Sequence, residues 1–326
     1  MPAARDARFE GLRGLAALLV GTQICLEFLI YGQWDQAPET LPRILVYDCD
    51  LRVMGSALFW LLAGYWLASR GDGWRGFVHR VFGRLFPAFL VVAVLGWALS
   101  AALGQPPALA ALLRTLALLH VPVVQPTFAS IHGIVTIVLL FYALCLIPPF
   151  ALSRRRLGVA IVMLFVAMAV MIVVGRWWHV HFPVRIVLGL ALAHFGAWAR
   201  LAGSPGKTGT LLFVVATLLV CRLAWSVAWG AGELWIGQAL GFCGAILLFL
   251  AVVHARRAWF AALAPIGLLA YELWLVFPPL LAASRFAIDY ARIDARLLAI
   301  AGSILLAVPL AWALNRFVTR PALTLA

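Results

Sequence analysis

Long apolar stretches constrain the fold of this 326-residue chain more strongly than any other feature. A transmembrane helix needs about 20 consecutive, mostly apolar residues. Ten stretches reach or approach that length: 11–31, 52–68, 85–103, 131–151, 158–175, 183–199, 208–225, 234–253, 259–282 and 297–317. Hydrophobic residues make up 65% of the chain, more than a water-soluble domain can bury. The sequence therefore predicts an all-α fold, a polytopic membrane helix bundle of about ten transmembrane helices.

The remaining segments leave little room for a second domain. Residues 106–124 are apolar but contain Arg114 and have prolines near both ends, so we expect a short or re-entrant element there. The longest other segments, 32–51 and 283–296, have the length of loops. We expect a single membrane domain over residues 1–326, with no appended soluble domain. The first apolar stretch lacks a small-residue cleavage site and is expected to be a retained span.

The distribution of charge predicts the orientation in the membrane. The formal net charge is +13, and with both termini in the cytoplasm sixteen Lys and Arg residues fall on inner segments and nine on outer ones. This asymmetry follows the positive-inside rule. Most of these arginines are expected to contact lipid phosphates, and nothing in the sequence suggests binding to nucleic acid.

No metal site is predicted. The five cysteines have no metal-ligand spacing, and the pair formed by His179 and His181 lacks a third ligand.

Four sequence blocks occur in order along nearly the whole chain. They are Glu10-Gly-Leu-Arg13-Gly-Leu-Ala-Ala; residues 55–65, followed by the basic pair Arg80 and Arg84 and by Pro87; Phe141-Tyr142 with Pro148 and Pro149; and Leu263-Ala-Pro-Ile-Gly-Leu-Leu-Ala-Tyr271 with Arg320 and Pro321. Together these blocks resemble the acyltransferase-3 family of bacterial membrane O-acyltransferases.

The resemblance implies a multi-pass protein of the bacterial inner membrane. Such enzymes are thought to take an acyl group from cytoplasmic acyl-CoA and pass it to a glycan or lipid-linked acceptor, without another cofactor. Arg13, Arg80 and Arg84 then become candidates for binding CoA phosphates, because guanidinium groups bind phosphate through charge-assisted bonds. Tyr142 is a further candidate for substrate binding. Equally, the three arginines fit the simpler interpretation of positive-inside anchors.

The chain departs from the family pattern at polar positions. Ile24 stands where the family has its histidine, eleven residues after Arg13, and Phe277 stands at a second expected histidine. Ala57 and Ala63 replace an aspartate and a serine, and Thr319 replaces a glutamate. Isoleucine cannot accept a proton or a hydrogen bond through its side chain. The losses therefore fall on catalytic and supporting positions, whereas the glycines, arginines and prolines are kept.

Three titratable residues are candidates for a replacement base. Glu272 lies in the middle of the ninth stretch, where a carboxyl group marks either a functional site or a buried structural pair. Glu27 lies one turn beyond Ile24, near the outer end of the first stretch, and His132 lies at the outer end of the fourth. A lone histidine in a helix is more often a hydrogen-bonded structural residue than a catalyst. For Glu272 we likewise favour the structural interpretation.

Three functional hypotheses follow. The first is a catalytically degenerate relative that serves as an accessory or scaffold component, a partner of envelope polysaccharide assembly proteins. The second is an active O-acyltransferase that uses acyl-CoA and a non-standard base such as Glu272. The third is a small transporter or flippase, which would need broken helices with ionisable residues at matching depths. The coordinated loss of polar residues favours the first hypothesis over the second. We therefore favour a protein without enzymatic activity.

Overall fold

The structure is a computed structural model in which every regular element of the described residues is a helix. It describes residues 6–30, 49–68, 86–98, 153–178, 184–202, 206–228, 234–254, 260–291 and 295–321, together with residues 101, 109 and 113. The helices of these ranges are α1 Ala7–Ile30, α2 Leu51–Ala68, α3 Phe86–Ala98, α4 Arg154–Trp178, α5 Val184–Ala202, α6 Lys207–Ala228, α7 Leu234–His254, α8 Ala264–Ala291 and α9 Arg296–Leu314. A 3₁₀ turn over Ala261–Leu263 precedes α8, and a π-turn over Asn315–Thr319 follows α9.

The prediction of an all-α membrane protein is confirmed. Among the described residues, seven helices are long and apolar enough to cross a membrane. Nine of the ten predicted stretches coincide with a described helix, and the tenth, 131–151, lies outside the described residues. The predicted total of about ten spans and the cytoplasmic position of both termini stay predictions. Most of the segment 106–124 also lies outside the described residues.

The contacts divide the chain into two compact units. The first unit comprises Met1–Trp74 and Tyr142–Leu268, and the second comprises Arg75–Phe141 and Leu269–Ala326. In the first unit, α2 is the central helix, because it packs extensively against α1, α5 and α7. Helix α4 packs against α5 and α6, and α6 packs against α7. The α2–α5 interface is the most extensive of these contacts.

Small residues allow the central helices of the first unit to approach each other closely. A Cβ atom placed on Gly64 of α2 would overlap the backbone carbonyl of Ala193 in α5, and one on Gly196 would overlap the carbonyl of Leu61. On the other side of α2, a Cβ on Gly55 would lie 2.6 Å from the Ala16 carbonyl oxygen of α1. Helices in lipid associate through close packing of this kind, since apolar side chains gain little by leaving a lipid environment.

The second unit contains α3, most of α8, α9 and the π-turn. A hydrogen bond of 3.0 Å joins the hydroxyl groups of Ser284 in α8 and Ser303 in α9. Pro309 lies inside α9, six residues before the π-turn begins. The π-turn brings Asn315 within reach of Glu272 on α8. Polar bonds therefore connect α8 to the middle of α9 and to the π-turn that follows it.

Candidate functional site

Ile24, where the resemblance implies a histidine, lies on α1 beside residues of a polar cluster in the first unit. Ile24 is half-buried on α1, and its neighbour Gln23 is buried, with 1% of its surface exposed. The Gln23 side-chain carbonyl accepts a hydrogen bond of 3.2 Å from the backbone N–H of Leu51, the first residue of α2. Its amide donates to Glu27 over 3.2 Å. Gln23 therefore joins the carboxyl-terminal half of α1 to the start of α2.

Glu27 is held in an ion pair. Arg52 donates from Nη2 to Glu27 Oε1 over 2.6 Å, the same oxygen that Gln23 contacts. Both side chains are partly exposed, 25% for Glu27 and 33% for Arg52. Glu27 Oε1 thus accepts two hydrogen bonds, one of them from a charged guanidinium. The structure thus places this candidate base in a contact between α1 and α2.

Asp50 completes the cluster at the amino-terminal end of α2. Its Oδ1 accepts a hydrogen bond of 3.1 Å from the backbone N–H of Val53, the typical bond of a helix N-cap. Its backbone has a φ of 36°, a left-handed conformation that is uncommon outside glycine. Burial raises the pKa of the Asp50 carboxyl, while Arg52, the Val53 N–H and Arg185 act in the opposite direction. The cluster therefore combines two carboxyl groups with Arg52 and the exposed Arg185 of α5.

Arg13, the described member of the predicted phosphate patch, also has an acidic neighbour. Its Nη1 lies 3.6 Å from Glu10 Oε2 on α1, and only 16% and 7% of the two side chains are exposed. Near the same end of α1, Arg200 of α5 donates to the Tyr65 hydroxyl over 3.1 Å, and Tyr65 stacks on Phe9. A buried, ion-paired guanidinium offers less free charge to a phosphate than an exposed one.

Glu272 is almost fully buried in the second unit, with 1% of its surface exposed. Its Oε1 accepts a hydrogen bond of 2.8 Å from the side-chain amide of Asn315 in the π-turn. Arg320 in turn donates to Asn315 Oδ1 over 3.0 Å. Glu272 Oε2 has no hydrogen-bond partner among the described residues. The direct partner of this carboxyl group is therefore an amide, and one of its oxygens is available to a further donor.

Four further candidates from the sequence belong to segments that the structure does not describe. Arg80, Arg84, His132 and Tyr142 lie outside the described residues. Glu27 belongs to the first unit and Glu272 to the second. Within the described ranges, no group of three or more His, Cys, Asp or Glu side chains could hold a metal ion.

Sequence reasoning missed most of the polar cluster. Arg52 and Arg185 are among the nine basic residues that it placed on outer segments, and it gave Gln23 and Asp50 no role. One signal was available, because Asp50 and Arg52 begin a span at the membrane level where Glu27 ends another. Charged residues at equal depth on successive helices are natural partners, since a buried charge is costly unless it is paired.

The comparisons with known proteins give one match. A family profile described as an acyltransferase domain, that of the acyltransferase-3 family, matches residues 6–316, which is nearly the whole chain. No curated protein and no solved structure matches the chain.

Proposed function

Because the chain belongs to the acyltransferase-3 family, we propose that it is a membrane protein of cell-envelope glycan synthesis or modification that has lost the family's usual chemistry. In this role it is an accessory or scaffold component of the bacterial inner membrane. Its partners are a glycan or lipid-linked glycan, or the proteins that assemble envelope polysaccharide.

The observation that carries the proposal is that the side chains around Ile24 on α1 include no free base. O-acyl transfer needs a base within hydrogen-bond reach of the attacking hydroxyl group. Isoleucine cannot serve, and the adjacent Gln23 is a neutral amide engaged with Glu27 and Leu51. Glu27, one turn away, is paired with Arg52. Its Oε1 already accepts hydrogen bonds from Gln23 and Arg52, so this oxygen is not open to an attacking hydroxyl group.

The positions that the chain shares with the family also favour a scaffold. Several glycines of the matching blocks lie where helices approach backbone to backbone. A Cβ atom on Gly11 or Gly14 of α1 would overlap the carbonyl of Phe260 or Leu263, and one on Gly267 would overlap the carbonyl of Glu10. These contacts need glycine for packing, whatever the chemistry. The shared sequence thus preserves helix packing, while the replaced positions are the polar ones.

One observation favours an active O-acyltransferase as the second candidate. Glu272 Oε2 is buried and has no hydrogen-bond partner among the described residues, so it can accept a proton from a bound hydroxyl group. In that mechanism the hydroxyl oxygen attacks the thioester carbonyl of acyl-CoA, Glu272 takes the hydroxyl proton, and the thiolate leaves and is protonated as CoA. An ester on the acceptor glycan is the product.

Mass spectrometry of envelope glycans from a gene deletion tests the two candidates. The deletion is complemented with wild type, with Glu272→Gln and with Glu27→Gln, and both total polymer and O-acyl content are measured. Glutamine keeps an oxygen that can accept the hydrogen bond from Asn315, but it is not a base. Glu272→Gln therefore removes the basic carboxylate with little change in the shape of the side chain.

For a scaffold, we expect polymer to be lost or misassembled in the deletion and restored by all three proteins. Loss of acyl groups from intact polymer, restored by wild type but not by Glu272→Gln, would contradict the scaffold and establish the enzyme. Glu27→Gln is the matched control, because it removes a carboxylate that is already ion-paired. A deletion that changes neither polymer nor acyl content would contradict both candidates.

A further inference from the structure

A groove runs along the contact between α4 and α5 in the first unit. It has a volume of about 610 Å³ and is lined by Arg155, Gly158, Val159, Val162 and Met163 of α4 and by Trp198 of α5. We propose that this groove binds an anionic phospholipid of the surrounding bilayer, with an acyl chain along α4 and the phosphate on Arg155.

The groove has space for an acyl chain because no neighbouring side chain covers the first turns of α4 at Gly158. A Cβ atom placed on Gly158 would meet no atom within 4 Å. From Arg155 to Met163 the groove follows about 12 Å of the helix, at 1.5 Å per residue. Apart from Arg155, the α4 residues that line it carry no polar side chain. A hydrocarbon chain fits this lining better than a sugar or nucleotide does.

The groove opens towards the bilayer. Val159, Val162 and Met163 are between 57% and 62% exposed, and the exposed apolar stripe continues along α4 through Val166, Val170 and Val173. A long apolar face of a membrane-spanning helix contacts lipid. An occupant can therefore enter sideways from the bilayer, whereas a water-soluble ligand would have to cross hydrocarbon to reach Met163.

One end of the groove carries positive charge. Arg155 and Arg156 are exposed, and no carboxylate of the described residues pairs with Arg155. The groove also starts at the amino terminus of α4, where Ser153 Oγ accepts a hydrogen bond of 3.3 Å from the Arg156 N–H. The helix dipole adds partial positive charge there. A lipid that fits both parts of the groove is apolar in its chain and anionic in its headgroup.

Trp198 supports a position at the membrane interface. Its ring packs against Gly209 of α6, where an added Cβ would lie 2.6 Å from the indole. Tryptophan rings are enriched at the level of lipid headgroups. The ring therefore forms one fixed wall of the groove.

Native mass spectrometry of the purified full-length protein tests the site. The protein is titrated with phosphatidylglycerol and, separately, with phosphatidylcholine, and the occupancy of the first bound lipid is compared. We expect wild type to prefer phosphatidylglycerol. Arg155→Gln should weaken the affinity for phosphatidylglycerol about fivefold, the factor for one basic residue at an anionic membrane surface. Gly158→Leu, which fills the groove, should exclude both lipids.

Two control variants carry the same changes elsewhere. Arg316→Gln removes an exposed guanidinium in the π-turn after α9, and Gly302→Leu enlarges another open glycine. Both should bind phosphatidylglycerol as wild type does. Arg155→Glu repeats the charge test without altering the apolar groove. Equal binding of the two lipids by wild type, unchanged binding by Arg155→Gln and Arg155→Glu, or displacement of the lipid by excess inorganic phosphate would overturn the proposal.

Discussion

Gln23 and Glu27 lie on either side of Ile24, and both connect α1 to the start of α2. Together with Asp50 and Arg52 they form a polar cluster between two helices that are otherwise joined by apolar contacts and small residues. Such a cluster fixes the register of one helix against the other, because its hydrogen bonds and ion pair are satisfied in only one arrangement. Two predictions concern these residues.

The first prediction concerns the charge on Asp50. Burial raises its pKa, so between the ordinary value and the raised value the folded protein keeps a proton that the unfolded chain has released. Stability should therefore fall as the pH rises through that window, and the loss is complete above the folded pKa. Asp50→Asn keeps a cap oxygen without the charge and should melt at a higher temperature than wild type at pH 7. Asp50→Ala removes the cap and should cost about 1 kcal/mol relative to Asp50→Asn.

Thermal unfolding in detergent between pH 4 and pH 8 measures both effects for this prediction. Asp50→Asn should show a flatter dependence on pH than wild type. A lower melting temperature for Asp50→Asn at pH 7 would mean that the attraction of Arg52 and Arg185 outweighs the cost of burial.

The second prediction concerns the Glu27–Arg52 pair. Both side chains are partly exposed, so a double-mutant cycle with Glu27→Gln and Arg52→Gln should give a coupling energy of about 0.5–1 kcal/mol in the free energy of unfolding. A coupling near zero would show that the 2.6 Å bond contributes nothing to stability. The pair Arg8–Asp6 is a suitable control, because it joins neighbours in sequence and links no two helices.

At the scale of helices, hydropathy located the elements but not their ends. Helix α4 begins at Arg154, four residues before the predicted stretch, and α8 continues to Ala291, well beyond the predicted end at 282. Apolar residues mark the part of a helix that lies in hydrocarbon. The helix itself continues for as long as its backbone bonds are made within it, whether its side chains are apolar or charged.

The third prediction concerns the α2–α5 interface. Gly64→Ala and Gly196→Ala each place a methyl group against a backbone carbonyl of the facing helix, so the helices must separate. Overpacking of this kind typically costs about 1–3 kcal/mol, and a lower melting temperature in detergent should report it. Gly21→Ala is the matched control, because its Cβ meets nothing within 4 Å. It should be neutral, or stabilising by up to about 1 kcal/mol through helix propensity. Equal melting temperatures for all three variants would contradict the close approach.

At the scale of the whole molecule, the sequence predicted the class of fold and the family, and both are confirmed. The polar cluster was not predictable, since Glu27 and Arg52 are 25 residues apart and no periodic pattern connects them. The same limit applies to Glu272 and Asn315, which are 43 residues apart. Hydropathy and motifs describe single segments of the sequence. These residue pairs depend instead on which helices become neighbours in the fold.

The fourth prediction concerns orientation. If both termini are cytoplasmic, alkaline phosphatase fused after residue 180 should be active, because it folds only outside the cytoplasm, and a fusion after residue 204 should be inactive. The excess of Lys and Arg on the inner segments supplies the physical reason. Expression in a bacterial host with both fusions at equal protein level measures this. The reverse pattern of activity would invert the topology and would place Glu27 and Arg52 on the cytoplasmic side.

The π-turn that follows α9 brings Arg320 and Asn315 to the same face of the helix. Each hydrogen-bonded ring in a π-turn holds one residue more than a ring of an α-helix, so residues five apart come together. In a regular α-helix, five steps of about 100° each would turn Arg320 about 140° away from Asn315, which it now contacts at 3.0 Å. A substitution that changed this turn into a regular α-helix, with almost no change in hydropathy, would therefore disconnect Arg320 from the amide that binds the buried Glu272.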